Sequence, residues 1–241
     1  MSADRALSDR PTAAPLRITG GAVIQPDGTN PADLTIVDGR VDRIDSVDRP
    51  PDVAPMGGVE SLDRDGGRFD ATGLVIAPGL IDLQINGGHG HDLWADPARL
   101  WDLATLLPRY GVTAFCPTII SGPPEVVERA LAALRADDAT AIGAEPLGLH
   151  LEGPMLAPNR RGAHDPNHLT PPGSTAVAGW TRANGVRVVT LAPELPGALE
   201  VIAALRAADV VVAAGHSDAT AEQAAAAAEA GADGRAWAST P

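Results

Sequence analysis

From Gly79 onward, short apolar runs alternate with longer segments of helical periodicity, and this alternation restricts the possible folds more than any other feature. One such segment, 97–110, places leucines on one face and stops at Gly111, and another helix is predicted around Thr175 to Asn184. Repeated strand–helix units are typical of a parallel sheet with right-handed crossovers. We count about five units. The fold class is therefore α/β, and both an open doubly wound sheet and part of a (β/α)8 barrel fit the pattern.

Residues 16–76 have a different pattern, in which short alternating runs are separated by tight turns. Asp38-Gly39 joins two of these runs and predicts a β-hairpin, because both central residues of a type I′ turn need a positive φ. We therefore expect a loose N-terminal tail at residues 1–15, a small β module at 16–76 and the strand–helix region at 77–241.

The composition excludes several classes of function. The chain has 241 residues, 44% of them hydrophobic, and a formal net charge of −13, which argues against nucleic acid or an anionic membrane as a partner. Its single cysteine, Cys116, lies in an apolar run, so neither an internal disulfide nor a cysteine-cluster metal site is expected. The sequence contains no run of ~18 apolar residues, so no membrane span is predicted. The polar N-terminus does not resemble a secretory signal. We expect a cytoplasmic protein.

Candidate site residues lie where the predicted strands end. The run Leu147–Pro154 alternates apolar and polar residues and stops at Gly153-Pro154, so Glu152 is a carboxylate at the end of a strand. Because the carboxyl ends of parallel strands converge on one edge, groups distant in sequence can share a site. Glu152 and His216 offer the carboxylate and imidazole that a divalent cation binds. The polar residues at these strand ends are Gln84, Asn86, Thr118, Glu152, Glu194 and His216.

Other histidines and two adjacent arginines lie in predicted loops. His89 and His91 belong to a Gly-rich loop, and we interpret them as exposed or pocket-lining side chains rather than as a His-x-His metal motif. A long polar loop follows Pro154. Loops of this length in a compact fold are more often functional than not. The arginines of this loop could meet a phosphate, although a solvated loop tip is the favoured interpretation. The side chains of interest in this loop are Arg160, Arg161, His164 and His168.

The order of the motifs along the chain resembles a known family. In sequence order, the motifs are Ala77-Pro78-Gly79-Leu80-Ile81-Asp82, Pro117-Thr118, His150-Leu151-Glu152-Gly153-Pro154, Gly162-Ala163-His164, Leu191-Ala192-Pro193-Glu194 and Gly215-His216-Ser217-Asp218. The first motif is similar to the beginning of the amidohydrolase superfamily. The series as a whole closely resembles the N-acetylglucosamine-6-phosphate deacetylase family, from about residue 16 to about residue 231.

The resemblance implies a fold and a reaction. The implied fold is a partial (β/α)8 barrel, with about five of eight strands, and a small β-sandwich module of which residues 16–76 form half. The implied reaction is hydrolysis of the acetamide of N-acetylglucosamine-6-phosphate to glucosamine-6-phosphate and acetate. The expected partner is therefore a small amino-sugar phosphate, and family members are commonly homodimers.

The resemblance also implies roles for individual residues. Glu152 and His216 match the ligands of one divalent metal ion, with zinc as the expected element, and this ion would polarise the acetamide carbonyl. Gln84 and Asn86 stand where some members have a His-x-His pair, which is similar to the single-metal branch. The positions that match substrate-binding residues are Ala163, His164, Gln84 and Asn86.

The chain departs from the family pattern after His216, which is the last histidine in the sequence. The family's third metal ligand, a histidine of a Thr-His-Leu/Phe-Asn motif, and its catalytic aspartate have no counterpart here. We therefore expect a C-terminally truncated homologue with little or no activity, because two ligands are too few for a stable catalytic metal site. The alternatives are another amidohydrolase, acting on a cyclic amide or another N-acetyl sugar, and a non-catalytic fragment that binds a sugar phosphate.

Overall fold

The computed structural model describes residues 14–48, 67–136 and 143–235. The chain divides into two compact units, one spanning residues 1–78 and the other residues 79–241. None of the helices in the described ranges has the length and the hydropathy that crossing a membrane requires.

The first unit contains a six-stranded sheet built around its third strand. The strands are β1 (Leu16–Thr19), β2 (Ala22–Gln25), β3 (Gly28–Val37), β4 (Arg40–Ser46), β5 (Arg68–Asp70) and β6 (Val75–Ile76). Their order is β5-β1-β3-β2-β6, and β4 also pairs with β3. The predicted hairpin is confirmed, since Asp38 and Gly39 connect β3 to β4 with φ values of 49° and 74°. Val23, Ala32 and Leu34 form the small core of this unit.

The second unit alternates strands with helices, as the sequence pattern predicts. Its strands are β7 (Leu80–Ile85), β8 (Gly87–Gly88), β9 (His91–Asp92), β10 (Val112–Ile120), β11 (Glu145–Pro146), β12 (Leu149–Glu152), β13 (Val186–Leu191), β14 (Val211–Ala214) and β15 (Gly234–Arg235). Its α-helices are α1 (Leu100–Leu106), α2 (Pro124–Arg135), α3 (Ala198–Ala207) and α4 (Ala221–Ala230). Short 3-10 helices cover Pro97–Arg99, Leu107–Tyr110, Pro158–Arg160, Pro166–His168 and Arg182–Asn184.

The sheet order of the second unit decides between the two predicted architectures. The parallel strands run β7-β10-β12-β13-β14-β15, and the short β11 pairs with the first half of β10. Strand order thus follows sequence order, whereas a doubly wound sheet reverses its order at a switch point. The sheet is a curled parallel half-barrel, which confirms the partial-barrel prediction. The two-residue strand β15 extends the sheet beyond the strands that the sequence pattern predicts.

The helix predicted around Thr175 to Asn184 is wrong. The structure has turns there, followed by the 3-10 helix Arg182–Asn184. The Asn184 backbone N–H donates to Thr181 Oγ1, which caps this single turn, and Gly185 (φ 98°) ends it. The stretch also contains β-branched residues and Gly179, which have low helix propensity. Apolar spacing alone was therefore not enough to form an α-helix.

The helix predicted over residues 97–110 is interrupted, and only α1 is α-helical. Pro108 has no N–H to donate to the Ala104 carbonyl one turn earlier. That carbonyl accepts a hydrogen bond from the Ala144 N–H at 2.8 Å instead. The chain tightens into a 3-10 turn, which ends at Gly111 with a φ of 79°.

Strand β12 is buried on both faces, and this places its polar residues inside the half-barrel. Leu149 and Leu151 belong to the main hydrophobic core, together with apolar residues of α1, α2 and α3. His150 and Glu152 project from the opposite face and are 3% and 7% exposed. Coverage of both faces is typical of strands in a parallel sheet. The alternation in the sequence therefore separates an apolar core face from a polar interior face.

Candidate functional site

Glu152, at the carboxyl end of β12, lies close to Gln84, His164 and His216. Its Oε1 accepts a hydrogen bond from Gln84 Nε2 at 2.8 Å and lies 2.9 Å from His216 Nε2. Its Oε2 is 3.9 Å from His164 Nε2. Burial raises the pKa of the Glu152 carboxyl, but the hydrogen bond from His216 and the neighbouring imidazoles outweigh burial, so the net pKa is lowered. Glu152 is therefore a carboxylate at neutral pH.

His216 follows β14 and turns one edge of its ring toward Glu152. Its Nδ1 lies 2.9 Å from the backbone carbonyl oxygen of Arg160. Because a carbonyl can only accept a hydrogen bond, Nδ1 carries a proton and Nε2 faces the carboxylate. The hydrogen bond with Glu152 raises the pKa of His216. The position between Nε2 and the carboxylate therefore favours a positive charge, either a proton or a cation.

His164 is held in the opposite tautomer. The Ser121 backbone N–H donates to His164 Nδ1 at 3.2 Å, and Ser121 Oγ lies 2.8 Å from the same nitrogen. A backbone N–H can only donate, so in the neutral ring the proton is on Nε2. Burial lowers the pKa of His164, which favours this neutral ring. His164 thus presents a hydrogen-bond donor to the site.

Ser121, which orients His164, is not among the residues predicted from the sequence. The available signal was its position directly after Ile120, the last residue of β10, since the other site residues also lie at strand ends. His150, which sequence reasoning left without a role, is buried beside the site. Its Nδ1 lies 2.9 Å from the Leu83 carbonyl oxygen, and its Nε2 lies 2.7 Å from Thr190 Oγ1. These bonds connect β12 to β7 and β13.

A cavity of about 630 Å³ is formed at the carboxyl ends of the strands. All of the residues predicted to bind a metal or substrate line it, and so does His91. His89 does not, and its ring centroid lies 5.4 Å from that of Tyr110. The lining residues are Gln84, Asn86, Gly87, His91, Asp92, Trp94, Ile120, Glu152, Ala163, His164 and His216.

Three other polar residues named in the sequence analysis lie outside the lining of this cavity, and two of them form hydrogen bonds with backbone groups. Thr118 Oγ1 accepts a hydrogen bond from the Ile85 N–H at 3.0 Å and donates to the Cys116 carbonyl at 3.1 Å. Arg161 donates to the His164 carbonyl at 2.8 Å. His168 lines a separate, largely apolar cavity of about 430 Å³.

The donor groups of the site fit a divalent cation. Glu152, His164 and His216 each offer one ligand atom, and these atoms lie within 4.8 Å of one another. His216 binds a backbone carbonyl through Nδ1 and leaves Nε2 as a ligand, which is the usual arrangement of a metal-binding histidine. The His164 tautomer instead places a proton on the nitrogen nearest the carboxylate. Glu152 and His216 are therefore the pair that fits a cation, and zinc accepts both ligand types.

Comparison with known proteins finds amino-sugar-phosphate deacetylases that are similar to this chain. The chain is 41% identical over 158 residues to N-acetylglucosamine-6-phosphate deacetylase of Homo sapiens, which covers 62% of this chain and 39% of the relative. It is 37% identical over 167 residues to N-acetylgalactosamine-6-phosphate deacetylase of Escherichia coli O157:H7, which covers 66% of this chain and 44% of the relative.

A solved structure of a deacetylase is also similar to this chain. The crystal structure of N-acetyl-D-glucosamine-6-phosphate deacetylase from Mycobacterium smegmatis matches 91% of this chain and 59% of its own, with a TM-score of 0.71 and 32% identity. No protein-family model matches the chain.

The half-barrel, its strand-end site and these relatives together show that the chain is similar to amino-sugar-phosphate deacetylases. The similarity to N-acetylglucosamine-6-phosphate deacetylases reaches 41% identity over the matched residues. The chain spans about two fifths of the length of the curated relatives it matches.

Proposed function

We propose that this site serves the hydrolysis of the acetamide of N-acetylglucosamine-6-phosphate, which yields glucosamine-6-phosphate and acetate, and that it uses one zinc ion. The observation that carries the proposal is the pairing of Glu152 with His216 Nε2, at 2.9 Å, in the cavity of a deacetylase homologue. The motifs suggest these two residues, and the arrangement of their side chains supports the proposal.

The proposed cation ligands are held by their neighbours. Gln84 donates to one oxygen of Glu152, and the Arg160 carbonyl fixes the ring of His216. These bonds orient both ligands before a cation arrives, which lowers the entropy cost of binding. When bound, a divalent cation supplies Lewis-acid polarisation of the substrate's amide carbonyl.

The proposed substrate contacts come from residues that line the same cavity as Glu152 and His216. His164 would donate a hydrogen bond from Nε2 to a substrate oxygen, because Ser121 holds the ring in the tautomer with Nε2 protonated. Gln84, Asn86 and Ala163 line the same space. Its volume of about 630 Å³ lies within the range of small-molecule sites.

The number of ligands limits the activity that we expect. Within the part of the chain that the structure describes, Glu152 and His216 are the two groups that fit a cation, whereas catalytic zinc sites usually have three protein ligands. We therefore expect weak zinc binding, and little or no acetate release by the 241-residue chain. Binding measurements are consequently a sharper test of the site than turnover.

The test is calorimetric titration of the purified chain with zinc and then with N-acetylglucosamine-6-phosphate, alongside an assay of acetate release. Loss of an outer-shell partner of a ligand typically costs about tenfold or more in metal affinity. Replacing Glu152 by Gln should weaken zinc binding by at least that much, because a charged ligand is itself lost. The substitution His164→Ala should weaken sugar-phosphate binding. The matched control is His168→Ala, which removes a histidine from the separate cavity and should change neither affinity.

Several results would contradict the proposal. Equal sugar-phosphate affinity in wild type and His164→Ala would show that the ligand binds elsewhere. Tighter binding of N-acetylgalactosamine-6-phosphate would favour the other sugar, and binding of a cyclic amide instead would favour a different amidohydrolase. Sugar-phosphate affinity that does not depend on zinc would favour a non-catalytic binding role.

A further inference from the structure

His216 lies in a turn that two other segments hold in place. The turn follows β14, and His216 has a left-handed backbone with a φ of 51°. This conformation is unusual for a residue other than glycine and persists where the surroundings fix it. These two segments are the loop after β12 and the end of β13, and the sequence alone did not predict that either contacts this turn.

The first connection comes from Arg160. Its backbone carbonyl accepts the hydrogen bond from His216 Nδ1 at 2.9 Å, and its side-chain Nε donates to Asp218 Oδ1 at 2.6 Å. Asn159 Nδ2 donates to the other oxygen of Asp218. The Ala157 N–H donates to the His216 carbonyl at 3.0 Å. The loop therefore holds the turn by hydrogen bonds to both the ring of His216 and the carboxylate of Asp218.

The second connection comes from Glu194, just after β13. Its Oε2 accepts a hydrogen bond from Ser217 Oγ, and its Oε1 accepts one from the Asp218 N–H, both at 2.6 Å. One carboxylate thus binds the two residues that follow His216. With Glu194 on one side and Arg160 on the other, the turn has little freedom to rotate.

We infer that Asp218 and Arg160 are positioning residues that keep the His216 ring in the orientation and tautomer that aim Nε2 at Glu152. This inference rests on the proposed function, because it assigns the oriented nitrogen to the cation. If the side chain of Arg160 is released from Asp218, its backbone carbonyl is no longer held opposite His216 Nδ1. The ring can then exchange its proton between the two nitrogens.

The solvent exposure of the Arg160–Asp218 pair distinguishes a role in positioning His216 from a general contribution to folding stability. The side chains of Arg160 and Asp218 are 43% and 41% exposed, and an exposed ion pair contributes little to folding stability. The pair Arg99–Asp102 is a matched control, since its N–O distance is 2.8 Å and its side chains are 54% and 51% exposed. Asp102 contacts none of the groups around His216 in the hydrogen bonds of the described residues.

The experiment compares Asp218→Asn with the control Asp102→Asn in the full chain. The first readout is the position of the His216 ring proton, observed by proton–nitrogen correlation NMR of nitrogen-labelled chain in mildly alkaline buffer with chelator. The second is zinc affinity, measured by competition with a chromophoric chelator. We expect Asp218→Asn to populate both ring tautomers and to weaken zinc binding on the order of tenfold. The control should keep the wild-type ring spectrum and affinity.

The outcomes separate this inference from the proposed function. A wild-type His216 spectrum in Asp218→Asn would overturn the positioning role, whatever happens to zinc. An equal spectral change in Asp102→Asn would also overturn it, because the effect would not be specific. If the ring changes in Asp218→Asn but Glu152→Gln leaves zinc affinity unaltered, the positioning role stands and the proposed cation site fails.

Discussion

Replacing Gly153 by alanine tests whether the turn after Glu152 is as tightly constrained as the structure shows. Gly153 has a φ of +85°, and a Cβ atom there would lie 2.4 Å from Ser121 Oγ and 3.0 Å from Leu156 Cγ. Gly90 has nearly the same φ, +84°, but no atom within 4 Å of its Cβ position. The two glycines therefore share a positive φ and differ in what an added Cβ would meet.

The magnitudes follow from this difference. A positive φ costs an alanine about 1 kcal/mol, so we expect Gly90→Ala to lower the free energy of unfolding by that amount. The overlaps at Gly153 add a cost of about 1–3 kcal/mol, as in other overpacked sites. A difference of ~2 kcal/mol corresponds to a separation of ~4–8 °C in midpoint for a unit of this size. Scanning calorimetry of both variants measures it.

A double substitution identifies the atom responsible. Ser121→Ala removes Oγ, the atom nearest to the added Cβ, so Gly153→Ala should cost about 1 kcal/mol less in that background than in wild type. Equal losses of stability in Gly153→Ala and Gly90→Ala would refute the reasoning, because they would show that the turn relaxes without penalty.

Two further predictions concern ionisable groups. Burial raises the pKa of the Cys116 thiol to about 11, so iodoacetamide should label it in denaturant but not in native chain at neutral pH; rapid native labelling would contradict this. The pKa of His216 is raised from its ordinary value of 6.5, so the stability of its pair with Glu152 is complete below that pH and is lost as the pH rises through the raised value. The pKa of Glu152 is lowered from 4.5, so the same contribution is lost as the pH falls through the lowered value. In chelator, the difference in unfolding free energy between wild type and Glu152→Gln should be largest between these ordinary values; a difference independent of pH would contradict the pairing.

Local patterns predicted most of the secondary structure because the forces involved act within a few residues. Asp38-Gly39 specifies its hairpin through backbone conformation alone. Asp218 and Thr220 both precede α4 and are residue types that cap helices. The cap is Thr220, whose side chain accepts a hydrogen bond from the Gln223 N–H. The Asp218 carboxylate instead accepts a hydrogen bond from Arg160, which is 58 residues away in the sequence. The residues next to α4 therefore could not indicate which of the two side chains caps it.

The strand–helix alternation, the strand ends and the candidate ligand residues could all be predicted before the fold was known, because apolar periodicity and Gly-Pro pairs are local signals. The order of the strands in the sheet had to come from the fold, and it brings Gln84, Glu152, His164 and His216 to one cavity. The fold also sets which nitrogen of His164 and which nitrogen of His216 carries the proton. That depends on whether a distant backbone group donates, as Ser121 does to His164, or accepts, as Arg160 does from His216. Such contacts form only when the chain has folded, because they join residues with no local relation in the sequence.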